Sequence, residues 1–311
     1  MLEKISFTVS SITSFLLNLG LTYKLKDFIP EKVKEYMPSS HKRKISCFGG
    51  LSFIFSMIIA LLISNSYLDS HTKYLVIYSL IPFGFIGFLD DYKKLHEPEG
   101  LKENQKLFLQ ILFSLFLGAL IFFFKKVHIA DFGLISFKID NLFYFLIYYV
   151  IFSIIFLNAF NFVDGIDGLA GSIAIILLIL LYAFSHDPIY LILIPPILAF
   201  LFFNFPPARI FMGDTGSLAL GALILASFIY FSLEKALIIS GIIIFLEFFS
   251  VVIQRYYYKL TKKIYGEGKR VFKMAPFHHH LEKCGIPQTK ILGSFVVLTA
   301  FFSLISYFLF S

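Results

Sequence analysis

The sequence predicts an all-α fold: a polytopic integral membrane protein of about ten transmembrane helices, with its chemistry gathered on one membrane face. Three observations predict it. Of the 311 residues, 58% are hydrophobic and only 15% charged, with a mean hydropathy of +0.82, a balance outside the range of soluble domains. The apolar stretches run for roughly 17 to 25 residues, the length a helix needs to cross the hydrocarbon core, against about 10 for a barrel strand. The unusual polar residues fall almost entirely in the segments between those stretches.

Taken in order, the apolar windows place spans near 5–21, 47–65, 74–89, 107–124, 141–160, 170–184, 189–205, 217–232, 236–255 and 290–310. No small-residue cleavage site follows the first, so Met1 onward is expected to be retained. The third and sixth windows are short, and Pro195 and Pro196 interrupt the seventh. The whole chain, 1–311, reads as one transmembrane domain. Cys47 and Cys284 lie at opposite ends without a CxxC spacing, so neither a disulfide framework nor a zinc cluster is suggested.

Ten spans put the loops alternately on two sides. The set 22–46, 90–106, 161–169, 206–216 and 255–290 holds 21 of the 27 lysines and arginines. The positive-inside rule makes that side cytoplasmic and turns both termini outward, as in a multi-pass protein of the cell inner (cytoplasmic) membrane. The net charge of +7 is accounted for by topology and by attraction to anionic headgroups. It makes no case for nucleic acid, and no nucleic-acid motif accompanies it.

Four of these loops carry the candidate chemistry. Asp90 and Asp91 close the third span just before Lys93 and Lys94. Adjacent carboxylates repel, and a metal, a cation or a retained proton relieves that repulsion; marking the water boundary is the plainer role. In NAFNFVDGIDGLAG, Asn158, Asn161, Asp164 and Asp167 recur every three residues, which on a helical end sets them along one ridge. Gly165 and Gly168 would let a ligand approach the backbone. A helix cap and tight turn would explain one Asp and one Gly of that series, not all of it.

Asn204, Pro206 and Pro207 break the seventh span, and FMGDTGS (211–217) opens the eighth. Asp214 has a competing role as an N-cap, yet a helix N-terminus beside glycines also suits phosphate, and an oxygen ligand there suits Mg2+. Neither a GxxxxGK[ST] loop nor a GxGxxG fingerprint is present. The long loop 255–290 carries Lys269, Arg270, Lys273 and then APFHHHLE. Three consecutive histidines cannot all ligate one metal from regular structure, and no HExxH spacing occurs. A substrate-binding loop fits His278, His279 and His280 better; a surface histidine turn is the alternative. Gly266-Glu267-Gly268 ahead of it reads as a mobile stretch.

Together these loops resemble the polyprenyl-phosphate N-acetylhexosamine-1-phosphate transferases, the superfamily that contains MraY, WecA and TagO. The resemblance runs from Gly49-Gly50 to about Gly285. GKRVFKMAPFHHHLEKCGIP and FLEFFSVVIQ look most like the MraY branch, the phospho-N-acetylmuramoyl-pentapeptide transferases. ISCFGG departs from the TPTMGG of that branch, and NFPPARIFMGDTGS and NFVDGIDGLAG look closer to WecA.

The resemblance implies that a polyprenyl (undecaprenyl) phosphate attacks the sugar-bearing phosphorus of a UDP-N-acetylhexosamine and releases UMP. The donor would be UDP-MurNAc-pentapeptide, in peptidoglycan synthesis and cell wall biogenesis, or else UDP-GlcNAc, in surface polysaccharide synthesis. It also implies site roles. Asp214 would hold Mg2+, assisted by Asn161, and Asp90 or Asp91 would position or deprotonate the lipid phosphate. Asp167 would meet the uracil, with Asp164 ordering the turn or the outer shell of the magnesium. Lys44, Lys94 and Lys106 would bind phosphate as point charges, and the three histidines would contact the nucleotide-sugar diphosphate. Asn158 belongs to the substrate-binding set, and a homodimer is left open. The rival of another class is a secondary transporter. It requires acids near span centres and an internal repeat, whereas Glu247 is the only carboxylate deep in a predicted span.

Overall fold

The computed structural model describes residues 2–27, 45–64, 68–97, 99–133 and 135–311. Helices dominate. In chain order they are α1 (Leu2–Leu25), α2 (Gly49–Ile63), α3 (Ser70–Lys94), α4 (Glu103–Lys125), α5 (Leu142–Val163), α6 (Leu169–Ser185), α7 (Ile189–Ile192), α8 (Ile194–Asn204), α9 (Gly213–Tyr230), α10 (Glu234–Ser240), α11 (Ile242–Tyr265), α12 (Phe277–Lys283) and α13 (Gln288–Phe310). Six described helices, α1, α3, α4, α5, α9 and α13, are long and apolar enough to cross a membrane. A seventh arises if α10 and α11, bent by 74° at Gly241, are one span. The shorter apolar helices α2, α6 and α7–α8 coincide with the second, sixth and seventh expected spans. The protein is thus an all-α polytopic membrane protein.

Helix α9 sits at the centre, buried along nearly its whole length. Its apolar residues have no lipid-facing side because α2, α3 and α5 pack around it. Small residues make that approach feasible, as in membrane helix pairs generally. At Gly87 of α3 a methyl group would fall on the backbone of Asp214 and Thr215, and at Gly50 of α2 one would fall on Gly216. Around this centre α1 lies on α2 and α8, α4 on α3 and α5, and α13 on α6 and α10. Several hydroxyls buried in these helices return to the carbonyl one turn earlier, as Ser79 does to Leu75 (2.7 Å) and Ser227 to Leu223 (2.7 Å), and others bond across helices, as Ser114 does with Ser153 (2.6 Å). A dry interior leaves them no water.

Several sequence expectations change at their edges. α3 runs through Asp90 and Asp91 to Lys94, so the loop expected from 90 starts a turn later; Pro82 does not end this helix. Asn161 likewise belongs to α5, not to a loop. α11 continues to Tyr265, ten residues past the expected end at 255, because RYYYKLTKKIY keeps helical periodicity after its hydropathy falls. The break at Pro195-Pro196 is present: α7 stops at Ile192 and the prolines fill the first turn of α8, where their missing N–H groups cost nothing.

The stretch at 266–268 is no free linker. Gly266 closes α11 in the left-handed region (φ 78°), Lys269 N donates to Thr261 Oγ1 (2.8 Å), and Val271 N and Phe272 N both donate to Gln254 Oε1 (3.0 Å each). The loop therefore folds back along α11. On the opposite face a hairpin, β1 (His128–Asp131) and β2 (Ser136–Ile139), was not foreseen. It is pinned by a buried cluster in which Glu234 Oε1 receives His128 Nε2 (2.6 Å) and the Tyr148 hydroxyl (2.7 Å).

Candidate active site

The site is assembled at the start of α9, on the face that carries the basic loops. The segment before α2 pairs with the segment before α9: Phe211 N donates to the Ser46 carbonyl (2.8 Å), and Gly49 N and Gly50 N donate to the carbonyls of Phe211 (3.0 Å) and Met212 (2.9 Å). Gly213 follows at φ 73°, and a side chain there would meet the Cys47 carbonyl and Asp91. Glycine is required on both counts.

Helix α9 then needs a cap, and α3 provides it. Asp91 Oδ1 accepts from Asp214 N (3.1 Å); Asp91 Oδ2 accepts from Thr215 N (2.9 Å) and Thr215 Oγ1 (2.7 Å). Two of the orphan donors of this helix N-terminus are thereby satisfied by a carboxylate from another helix. The competing role considered for Asp214 is filled by Asp91. Asp214, in the first turn, is left for other partners.

Those partners converge from three elements. Asp214 Oδ2 meets Lys106 Nζ of α4 (2.5 Å) and Lys94 Nζ of α3 (3.1 Å), while Asp214 Oδ1 accepts from Asn161 Nδ2 of α5 (2.8 Å). The Asn161 amide also reaches Ser217 Oγ (2.8 Å). Asp90 Oδ2 lies 2.6 Å from Lys94 Nζ and 3.7 Å from Lys106 Nζ, and Asp90 Oδ1 accepts from Leu101 N (2.7 Å). Oxygens of Asp90, Asp91 and Asp214 lie within 4.8 Å of one another. Three carboxyl groups thus face two ammonium groups. Hard oxygen donors in that setting fit a divalent cation of the magnesium or calcium kind and not zinc. Nearby, burial together with the charges of Asp214, Asp91 and Asp167 pushes the Asp164 carboxyl well above the usual carboxylate range, a repulsion that a cation would relieve.

The ridge expected along 158–167 divides. Asn158 is turned away from the carboxylates: its amide donates to Gln110 Oε1 (3.2 Å) and to the Ile154 carbonyl (2.7 Å). Only Asn161 of the helical pair reaches Asp214. Asp164 caps α5, and Asp167 Oδ2 accepts from Ala208 N (3.0 Å), joining this turn to the segment after α8. Asn204 completes that join, accepting from Gly168 N (2.9 Å) and donating to the Ile210 carbonyl (2.8 Å).

The three histidines also part company. His278 is buried and held by Glu247. His279 Nδ1 pairs with Glu282 Oε2 (2.6 Å), and His280 Nδ1 accepts from Lys273 N (3.1 Å). The last two are therefore engaged within their own loop. Lys44 lies outside the described residues.

A family profile described as "Glycosyl transferase family 4" matches residues 72–232, the stretch from α3 to α9 that holds Asp90, Asp91, Asn161 and Asp214. The chain belongs to glycosyl transferase family 4. Family members similar to it along nearly their whole length include three proteins named phospho-N-acetylmuramoyl-pentapeptide-transferase. That of Clostridium perfringens is 36% identical over 317 residues, covering 97% of this chain and 96% of its own. That of Streptococcus pyogenes is 37% identical over 307 residues, covering 91% and 87%. That of Pelodictyon phaeoclathratiforme is 35% identical over 352 residues, covering 98% and 93%. These similarities extend past the profile into α11 and the histidine loop.

Residues that sequence reasoning missed in this family 4 site are Glu247, Asn204, Thr215 and Ser217. Glu247 carried a signal: a carboxylate deep in an apolar span requires a partner. Asn204 was read only as a break in the seventh span. Thr215 and Ser217 gave no signal, because a hydroxyl in a helix is ordinarily satisfied by its own backbone.

Proposed function

We propose that this chain transfers phospho-N-acetylmuramoyl-pentapeptide from its UDP derivative to a polyprenyl phosphate, releasing UMP, at the cytoplasmic face of the inner membrane. The observation that carries this reading is the convergence of Asp90, Asp91, Asp214, Lys94 and Lys106 in a chain whose near-full-length relatives bear that transferase name. An oxygen of the lipid phosphate attacks the sugar-bearing phosphorus, and the bond from that phosphorus to the UMP oxygen breaks. Both reactants are anionic, so repulsion must be lowered while the reacting atoms are held in line. Lys94 and Lys106, 3.1 and 2.5 Å from Asp214, are the donors placed to do this.

Magnesium held by Asp214, with Asp90 beside it and Asn161 bracing the Asp214 carboxylate, would supply charge neutralisation at the phosphates. Asp91 fixes the helix start that presents Asp214. Asp90 positions the lipid phosphate; a phosphate monoester is already mostly ionised at neutral pH, so no strong base is required. Asp164 and Asp167 order the turn that receives the uridine, and the chain 1–311 acts as one transferase domain.

The lipid reaches the site sideways, since a prenyl chain does not leave hydrocarbon cheaply. An apolar groove of about 820 Å³ lies at the α10–α11 bend between α5 and α13, lined by Phe152, Ile242, Phe245 and Phe249 among others. Phe248 of α11 against Phe162 of α5, ring centres 6.5 Å apart, continues this apolar wall to the neighbour of Asn161. The test is turnover of purified protein with polyprenyl phosphate and Mg2+, supplied in turn with UDP-MurNAc-pentapeptide and UDP-GlcNAc. Lipid-linked muramoyl pentapeptide plus UMP is expected. Turnover of UDP-GlcNAc alone would overturn the donor assignment.

A further inference from the structure

Glu247 lies in the apolar part of α11 and is completely buried. Such a carboxylate is costly unless its oxygens are hydrogen-bonded. Both oxygens are satisfied by one residue: Oε1 accepts from His278 N (3.1 Å) and Oε2 from His278 Nδ1 (3.0 Å). One side chain therefore fixes both the backbone start of α12 and the rotation of the imidazole.

A carboxylate only accepts, so Nδ1 carries the hydrogen and Nε2 is the nitrogen left over. Nε2 is buried and has no hydrogen-bond partner among the described residues. It lies over the turn at 164–168: a methyl group at Gly165 would come within 2.5 Å of both Nε2 and Cε1 of His278. Leaving a buried ring nitrogen unpaired carries a desolvation penalty, which a ligand atom arriving over this turn removes. His279 and His280 hydrogen-bond within their own loop, so His278 alone among the three presents a free buried nitrogen here.

We propose that Glu247 is the positioning residue that sets the tautomer and orientation of His278, so that Nε2 meets the uridine nucleotide of the donor over the turn at 164–168. This inference rests on the donor reading above. Glu247→Gln isolates it. The amide oxygen still accepts from His278 N, but its NH2 now faces Nδ1 and imposes the opposite tautomer.

The experiment measures binding of UDP and of uridine to the full-length protein, together with KM for the UDP-sugar and for polyprenyl phosphate. Glu247→Gln is expected to weaken UDP binding and raise the donor KM about tenfold, with the lipid KM and the melting temperature unchanged. Weakening of UDP alone would place Nε2 on the diphosphate; equal weakening of uridine would place it on the base. The double variant with His278→Asn should be no weaker than His278→Asn by itself, as for two residues acting through one contact. Should Glu247→Gln not fold, Glu247→Asp, which keeps the acceptor and withdraws it by one methylene, is read in the same cycle.

Unchanged UDP affinity, or losses that multiply in the double variant, would overturn the inference. A wild-type protein that neither binds UDP nor turns over a UDP-sugar would instead end the donor reading.

Discussion

At the scale of single residues, acids brought together at one site from distant sequence motifs do different work. Asp91 spends both oxygens on the start of α9, whereas Asp214 faces two lysines and an amide. Asp91→Ala should therefore lower stability by about 1–2 kcal/mol, as loss of a helix cap does, and reduce turnover in step; thermal unfolding beside activity reads both. Asp214→Asn should leave melting in chelator within a few degrees of wild type and cut turnover on the order of 10²–10³-fold, with a weaker response to added Mg2+. Equal melting losses in the two variants would make Asp214 a structural residue.

Among the helices, the deciding feature is the 74° bend between α10 and α11. It opens the apolar groove against α5 and α13 and carries α11 outward so that the loop after it folds back onto Gln254 and Thr261. Ile242, at the bend, lines the groove. Ile242→Trp should fill part of it and raise KM for long-chain polyprenyl phosphate several-fold, with the donor KM unchanged and a smaller effect on a short-chain lipid. Kinetics with two chain lengths make the check. Equal effects on both lipids would remove the groove from the lipid path.

Two predictions concern the whole molecule. Cys284, exposed beside α12 on the basic face, should react with a membrane-impermeant maleimide in inverted vesicles and not in intact cells; the reverse pattern would turn the topology over. The second concerns pH. Burial and neighbouring carboxylates raise the Asp164 carboxyl in the folded protein, so the folded state holds that proton more tightly than the unfolded one. Its contribution to stability is complete below the unfolded aspartate value of about 3.9 and is lost as pH climbs through the raised folded value. Melting temperature in chelator should accordingly fall with rising pH, and Asp164→Asn or added Mg2+ should flatten that slope. A slope unaffected by both would assign it to other groups.

Taken alone, the sequence determined what its one-dimensional patterns encode. Apolar length marked the membrane helices, the basic bias distinguished two sets of loops, and acids next to glycines picked out the segments now gathered at the start of α9. What it could not determine is what each side chain faces. The bond from Asp91 to Asp214 spans 123 residues and that from Glu247 to His278 spans 31. Periodicity places residues on a face of one helix and is silent on the helix opposite. For that reason Asn158 and Asn161 read alike, although one meets Gln110 and the other Asp214. Three histidines likewise read as one motif, although only His278 lies against a buried carboxylate. Tertiary packing decided these roles, because a charge or amide inside an apolar bundle must settle against the partner that packing brings to it.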